Sequence, residues 1–334
     1  MSTAPQSSAE IPLRTAEMHL YKPTDPATAT ITKSEICTAS KKAAGFCHHI
    51  EFDVAGSNLV GRAIPGQSIG VLAPGLDALG RPHKLRLYSL ASPSGGETGD
   101  GTILSTTVKR TLDEHWESHK LFTGVCSNYL CDLQVGDQIK LTGPAGKKFV
   151  LPQAANQHDY IFFATGTGIA PFRGMILDLL RAPDPAASRI ALIMGSPYAS
   201  DLMYDPLFRE LAAKHPNFHY IPAISRERND KLALAASPGV PGALPKLYVQ
   251  DRLATDPELL GSMLKNPRTL IYICGIAGME IGIFQQLPKL LSGSDLEQYL
   301  TAPAELLANT SAWQRSMLHK EIHLSRRISM EVYA

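Results

Sequence analysis

An excess of charge of one sign is missing from this 334-residue chain: 32 basic residues stand against 31 acidic ones. Without polyelectrolyte character, nothing suggests nucleic-acid binding. Long apolar runs are missing as well, and none approaches the length that spans a bilayer. Cysteine is scarce, five residues without paired spacing, and nothing at the N-terminus resembles a secretory signal. Reduced thiols in a cytoplasmic protein are the simplest expectation, with the bacterial cytosol favoured over an organelle stroma. No internal repeat is visible. Residues 1–26, rich in Ser, Thr, Ala and Pro, read as a flexible tail.

What remains is long enough for two ordinary cores. Between residues 27 and 155 the pattern is short extended pieces at 29–37, 49–54, 68–72, 84–89, 101–108 and 138–143, punctuated by Gly and Pro. That spacing predicts an antiparallel β-barrel. From 156 to 334 the rhythm changes to apolar strands at 160–164, 189–194, 220–225 and 270–274. Helices are expected at 171–180, 206–214 and 279–291. Alternation of this kind predicts an α/β domain with a parallel sheet covered on both faces.

Three segments carry chemistry. In Arg86-Leu87-Tyr88-Ser89, Arg86 and Tyr88 share one strand face. The guanidinium can fork onto a phosphate, the phenol offers a flat surface to another ring, and Ser89 faces the other way. Gly124-Val125-Cys126-Ser127-Asn128 is a short backbone turn suited to pyrophosphate. Gly166-Thr167-Gly168-Ile169-Ala170-Pro171 follows a buried strand and opens a helix, which aims N–H groups at a second pyrophosphate. The usual third glycine of a dinucleotide fingerprint is lacking, because Pro171 stands there. Two phosphate sites and an aromatic platform suggest two nucleotides meeting across a cleft. Cys126 and Cys131 have the C-x₄-C spacing of an iron–sulfur pair, but no third cysteine follows at the needed distance. No metal is expected.

Together with Gly66–Val71, Pro82–Ser92, Val108-Lys109-Arg110, Ser225-Arg226-Glu227, Lys246–Gln250, Cys274–Glu280 and Glu331-Val332-Tyr333, these segments occur in one order. That order resembles plant-type, plastidic-class ferredoxin–NADP reductases from about residue 20 onward. The resemblance implies a FAD-binding barrel, an NADP(H)-binding α/β domain, and electron transfer between NADP(H) and ferredoxin or flavodoxin. It implies FAD contacts for Arg86, Tyr88, Ser89, Lys109, Val125, Cys126, Ser127 and Thr167. On the NADP side it implies Gly166, Gly168, Ser225, Arg226, Lys246, Tyr248 and Gln250, the basic pair rather than Glu227 meeting a 2′-phosphate. Ser89, Cys274, Glu331 and Tyr333 are implied catalytic residues. Glu331 would relay a proton through Ser89, and Tyr333 would cover the flavin face opposite Tyr88. Partner docking is expected on a basic rim including Arg81 and Lys84.

The chain departs from the family's pattern in four places. Ala334 follows the tyrosine. The tyrosine that stacks on the FAD adenine is missing from Thr111-Leu112-Asp113, with Trp116 nearby. Residues 228–245 lengthen a loop, and 292–325 read as an enlarged helical insertion on the surface. The alternative reading is the NADPH-dependent reductase component of a multicomponent oxygenase. A non-catalytic flavin-binding relative would be expected to lose Ser89, Cys274 or Glu331, and all three are present.

Overall fold

The computed structural model describes residues 10–43, 45–227 and 246–333. The first domain is built from β1 (Ala27–Ile36), β2 (Cys47–Asp53), β3 (Ser68–Val71), β4 (Arg86–Ser89) and β5 (Ile103–Lys109), followed by the hairpin β6 (Leu112–Glu114) and β7 (Leu121–Thr123). Helix α1 (Val125–Asp132) and β8 (Gln138–Ala145) complete it. The six long strands run in the order β4-β3-β8-β1-β2-β5 with antiparallel neighbours. Alternation drives the pairing: on β1, Ala27, Ala29 and Ile31 point inward while Thr28 is exposed, as a half-buried strand requires. The two edge strands meet through a Leu90–Thr106 bridge and a Thr106 Oγ1 bond to the Ser89 carbonyl (2.7 Å). The barrel thereby loses its open edges.

The second domain alternates strand and helix. In chain order it holds β9 (Asp159–Thr165), α2 (Ile169–Leu180), β10 (Ile190–Ser196), α3 (Asp205–Lys214) and β11 (Phe218–Ile224). Then come α4 (Arg252–Thr255), α5 (Pro257–Leu264), β12 (Thr269–Ile276) and α6 (Met279–Leu290). It ends with α7 (Ser294–Glu297), β13 (Leu300–Thr301), α8 (Ala304–Ala308), β14 (His323–Leu324) and β15 (Ile328–Tyr333). The parallel sheet has the order β11-β10-β9-β12-β15. Its three central strands are almost wholly buried, with one apolar cluster on each face. Strand order reverses between β9 and β12, and ligands of open α/β sheets bind at the carboxyl end of such a reversal.

Two expectations change here. Residues 10–26 are not a loose tail: Ile11 packs on the α/β core, Arg14 pairs with Asp178 at 2.6 Å, and the Glu17 carbonyl takes the Gln67 side-chain amide at 2.7 Å. These contacts supply the partners that composition alone does not reveal. Segment 292–325 is also more than a surface addition. It contains short helical turns and a β13–β14 pair, and it buries Trp313, Leu318 and Ile322 against α6 and the sheet. Residues 228–245 and Ala334 lie outside the described residues.

A polar cluster joins the domains. Arg173 on α2 reaches across to Glu97 with two bonds (2.6 and 3.0 Å) and to the Ala91 carbonyl (2.9 Å). The Tyr204 hydroxyl contacts His49 (2.9 Å) and Thr107 (2.6 Å) on the barrel. Burial would raise the Glu97 carboxyl, but Arg173 overrides it and holds it below the usual carboxylate range. His49, Glu51 and Glu97 come close enough to share a cation, yet Arg173 already occupies both Glu97 oxygens. No helix among the described residues is long and apolar enough to cross a membrane.

Candidate functional site

A cavity of about 810 Å³ opens beside β4. Arg86 and Tyr88 line it from the strand, as their shared face predicts. Gly124, Val125, Cys126 and Ser127 line it from the start of α1, and Arg81, Lys84 and His83 from the preceding loop. The expected short turn is thus the first turn of a helix. Its leading N–H groups have no intrahelical partner, and the helix start attracts anions. Ser127 fixes this turn, accepting the Thr111 N–H (3.2 Å) and donating to the Gly124 carbonyl (3.2 Å). Cys126 is buried, its thiol near the Val71 carbonyl. Burial pushes the Tyr88 phenol far up, helped by the adjacent Cys126. Cys131 is buried in the barrel core, so the C-x₄-C pair serves packing.

The second site lies where β9 and β12 diverge. After β9 the chain makes a tight 3₁₀ turn, Gly166–Gly168, and enters α2. Gly166 has φ +55°, a conformation that side chains resist. A Cβ on Gly168 would stand 2.2 Å from the Cys274 carbonyl, so glycine is what lets the two strand ends touch. Pro171 falls in the first turn of α2, where its missing N–H removes no helical bond.

Tyr333 closes over this turn. Its phenolic oxygen accepts the Gly168 N–H (3.0 Å) and the Thr167 hydroxyl (3.0 Å), and its O–H donates to the Thr165 carbonyl (3.1 Å). Parallel pairing of β12 with β15 sets Cys274 beside Glu331. Cys274 is buried, and burial followed by the Glu331 charge pushes its thiol far up, so it stays protonated. Glu331 is exposed as a residue. Its carboxyl is nevertheless desolvated, which pushes its pKa up to about 7.

From the turn a cavity of about 530 Å³ runs over the sheet edge, lined by Gly166, Thr167, Ser225, Tyr248, Gln250, Gly278, Met279 and Tyr333. Tyr248 presents an exposed ring there. Arg226 lines a neighbouring cavity of about 260 Å³ with Lys109 and Gly166, and Lys246 is exposed one residue before buried Leu247. Glu227 turns back to accept the Ala199 N–H, which leaves the basic residues facing outward.

Two placements differ from the expected ones. Lys109 and Thr167, read as flavin contacts, line the cavity over the parallel sheet instead. Lys109 ends β5 on the side of the barrel that faces the α/β domain, and Thr167 is tied to Tyr333. Arg81 is matched by Asp77 through two bonds (3.1 and 2.9 Å), so only part of its charge faces outward. The hairpin β6–β7 escaped the sequence reading, as did α1. Leu121-Phe122-Thr123 alternates too briefly to stand out, and the helix start looks like a loop because no side chain caps it.

Residues 162–284 match the oxidoreductase NAD-binding domain. A ferredoxin–NADP reductase of Spirulina sp is 36% identical over 284 residues, covering 84% of this chain and 92% of its own length. The chain belongs to the ferredoxin–NADP reductase family. A chloroplastic leaf isozyme of Oryza sativa subsp. japonica with that name is 38% identical over 270 residues, 79% of this chain and 69% of its own. The solved ferredoxin–NADP reductase of Plasmodium falciparum shares the fold, with TM-score 0.65 and 20% identity over 94% of this chain and 98% of its own. Family membership makes the reading of the two cavities specific. The barrel cavity, with its cationic rim and helix start, fits the diphosphate and ring system of FAD. The sheet-edge cavity, with a glycine turn, an exposed aromatic and adjacent basic residues, fits a phosphorylated nicotinamide dinucleotide.

Proposed function

We infer that this chain is a FAD-dependent enzyme moving electrons between NADP(H) and ferredoxin, with residue roles set by the two cavities. The carrying observation is the meeting of the Gly166–Gly168 turn, Cys274, Glu331 and Tyr333 at the reversal point of the sheet. FAD, when bound, accepts a hydride from NADPH and gives up electrons singly. Arg86 and the start of α1 hold the diphosphate, and Tyr88 supports the flavin ring. Ser225, Arg226 and Lys246 select the 2′-phosphate, and Tyr248 stacks on adenine. Cys274 shapes the nicotinamide pocket as a neutral thiol. Glu331 stores a proton and passes it toward Ser89 Oγ. Arg81 and Lys84 form a basic rim for an acidic ferredoxin or flavodoxin.

The test is anaerobic stopped-flow reduction of the yellow protein by NADPH and by NADH, followed by ferredoxin-dependent cytochrome c reduction. NADPH is expected to bleach the flavin at least about tenfold faster than NADH, an advantage that Arg226→Ala removes, as expected for loss of a charge-assisted phosphate contact. Equal use of NADH refutes the roles of Ser225, Arg226 and Lys246. A colourless protein that takes up no FAD refutes the whole reading.

A further inference from the structure

The hairpin that precedes α1 puts an aromatic ring on the wall of the barrel cavity. Phe122 sits on β7, opposite Asp113 on β6, and directly opposed residues of an antiparallel pair project to the same face. An aromatic at 122 therefore presents its ring on the hairpin face that a residue at 113 would use. Phe122 lines the 810 Å³ cavity together with Thr111 of the same hairpin, and it is 48% exposed. It also lies two residues before Gly124, the cap of the helix whose N–H groups grip phosphate. Phe122 and that helix start thus line one and the same cavity. Trp116, the nearest ring in sequence to the missing tyrosine, is 80% exposed and is not part of the cavity wall.

We propose that Phe122 is the platform on which the adenine of FAD stacks, supplied by β7 rather than β6. The proposal rests on the FAD reading of this cavity. Stacking on an aromatic ring tolerates this relocation because it requires a flat apolar face and no particular hydrogen bond. Besides Tyr88, which the flavin reading already uses, His83 is a further ring on the wall, and it belongs to the loop leading into β4 rather than to the chain that enters the phosphate grip.

The full-length chain, freed of flavin, is titrated with FAD and separately with FMN, which lacks the adenosine half. Binding is read from quenching of flavin fluorescence. Phe122→Ala should weaken FAD by about 10- to 100-fold, the range of a lost base–aromatic stack, and leave FMN unchanged. Phe122→Tyr should restore FAD, and Trp116→Ala should change neither ligand. Equal weakening of FAD and FMN would mark a collapsed hairpin and overturn the proposal, as would unchanged FAD affinity. A FAD-selective loss in His83→Ala without one in Phe122→Ala would hand the role to His83. Failure of the unaltered chain to bind FAD would instead remove the flavin reading itself.

Discussion

On the barrel side, the proposed phosphate grip is a helix start whose first N–H groups face a broad cavity that Arg86 also lines, with the turn locked by Ser127. On the sheet side, the equivalent grip is a glycine turn whose Gly168 N–H is held by the Tyr333 hydroxyl. One grip is fixed by its own chain and needs only to receive a ligand. On the proposed reading, the other carries an internal competitor that would have to leave before a phosphate or nicotinamide settles. The first arrangement suits a cofactor that stays, the second a substrate that enters and departs on every turnover. The same backbone physics thus gives two different lifetimes of binding, set by what else can reach the N–H groups.

The two grips can act together only if they are held in fixed relation, and the largest effect is expected at Arg173. Its guanidinium is buried between domains and paired with Glu97, whose side chain is also largely buried. Arg173→Ala strands a buried carboxylate, a loss of about 3–5 kcal/mol for a broken buried pair. Denaturant unfolding should report it, and activity per folded molecule should fall as the cavities lose alignment. A stability change below about 1 kcal/mol would show that this pair does not fasten the domains.

Glu331 probes the sheet side alone. Desolvation raises its carboxyl from the ordinary 4.5 to about 7, so it holds its proton up to near-neutral pH. By linkage, the protonated carboxyl contributes folded-state stability that is fully present below about pH 4.5 and is lost as pH rises through about 7. The rate of flavin reduction should therefore show a limb near pH 7. Glu331→Gln should flatten that limb and slow the reaction about 100-fold, the scale of a lost general acid or base. A limb that persists unchanged in the Gln variant assigns it to another group.

The two regions also differed in how legible they were. The parallel sheet was readable because its three central strands are continuous apolar runs that end at or beside glycines, and a buried strand followed by Gly166-Thr167-Gly168 has few other folds to adopt. The strand face of Arg86 and Tyr88 was equally plain from period-two alternation. The hairpin at Leu112–Glu114 and Leu121–Thr123 was not, since each strand is three residues long and has no buried residue. Its position on the cavity wall depends on cross-strand pairing, which no local pattern reports. Lys109 and Thr167, expected beside the flavin, line the sheet-edge cavity for a related reason. Their segments were identified correctly, but which cavity each side chain faces is decided by domain packing, through contacts such as Arg173–Glu97 that link residues far apart in the chain.

The smallest expected effect tests the competitor itself. Tyr333→Phe keeps the ring and deletes only the hydroxyl that accepts the Gly168 N–H and the Thr167 hydroxyl. A net hydrogen bond contributes about 1 kcal/mol, so freeing the turn should tighten NADP⁺ binding by roughly fivefold in difference-spectroscopy titrations. A fragment such as 2′-AMP lacks both the 5′-phosphate and the nicotinamide half and would engage only the proposed Ser225, Arg226 and Tyr248 end, so its affinity should stay the same. Tyr333→Ser removes the ring too, and it should additionally erode the preference for NADPH over NADH. If Tyr333→Phe leaves NADP⁺ affinity unchanged, the ring alone governs access. If affinity falls, the hydroxyl is a ligand contact rather than a competitor, and the contrast between a self-locked grip and a contested one loses its basis.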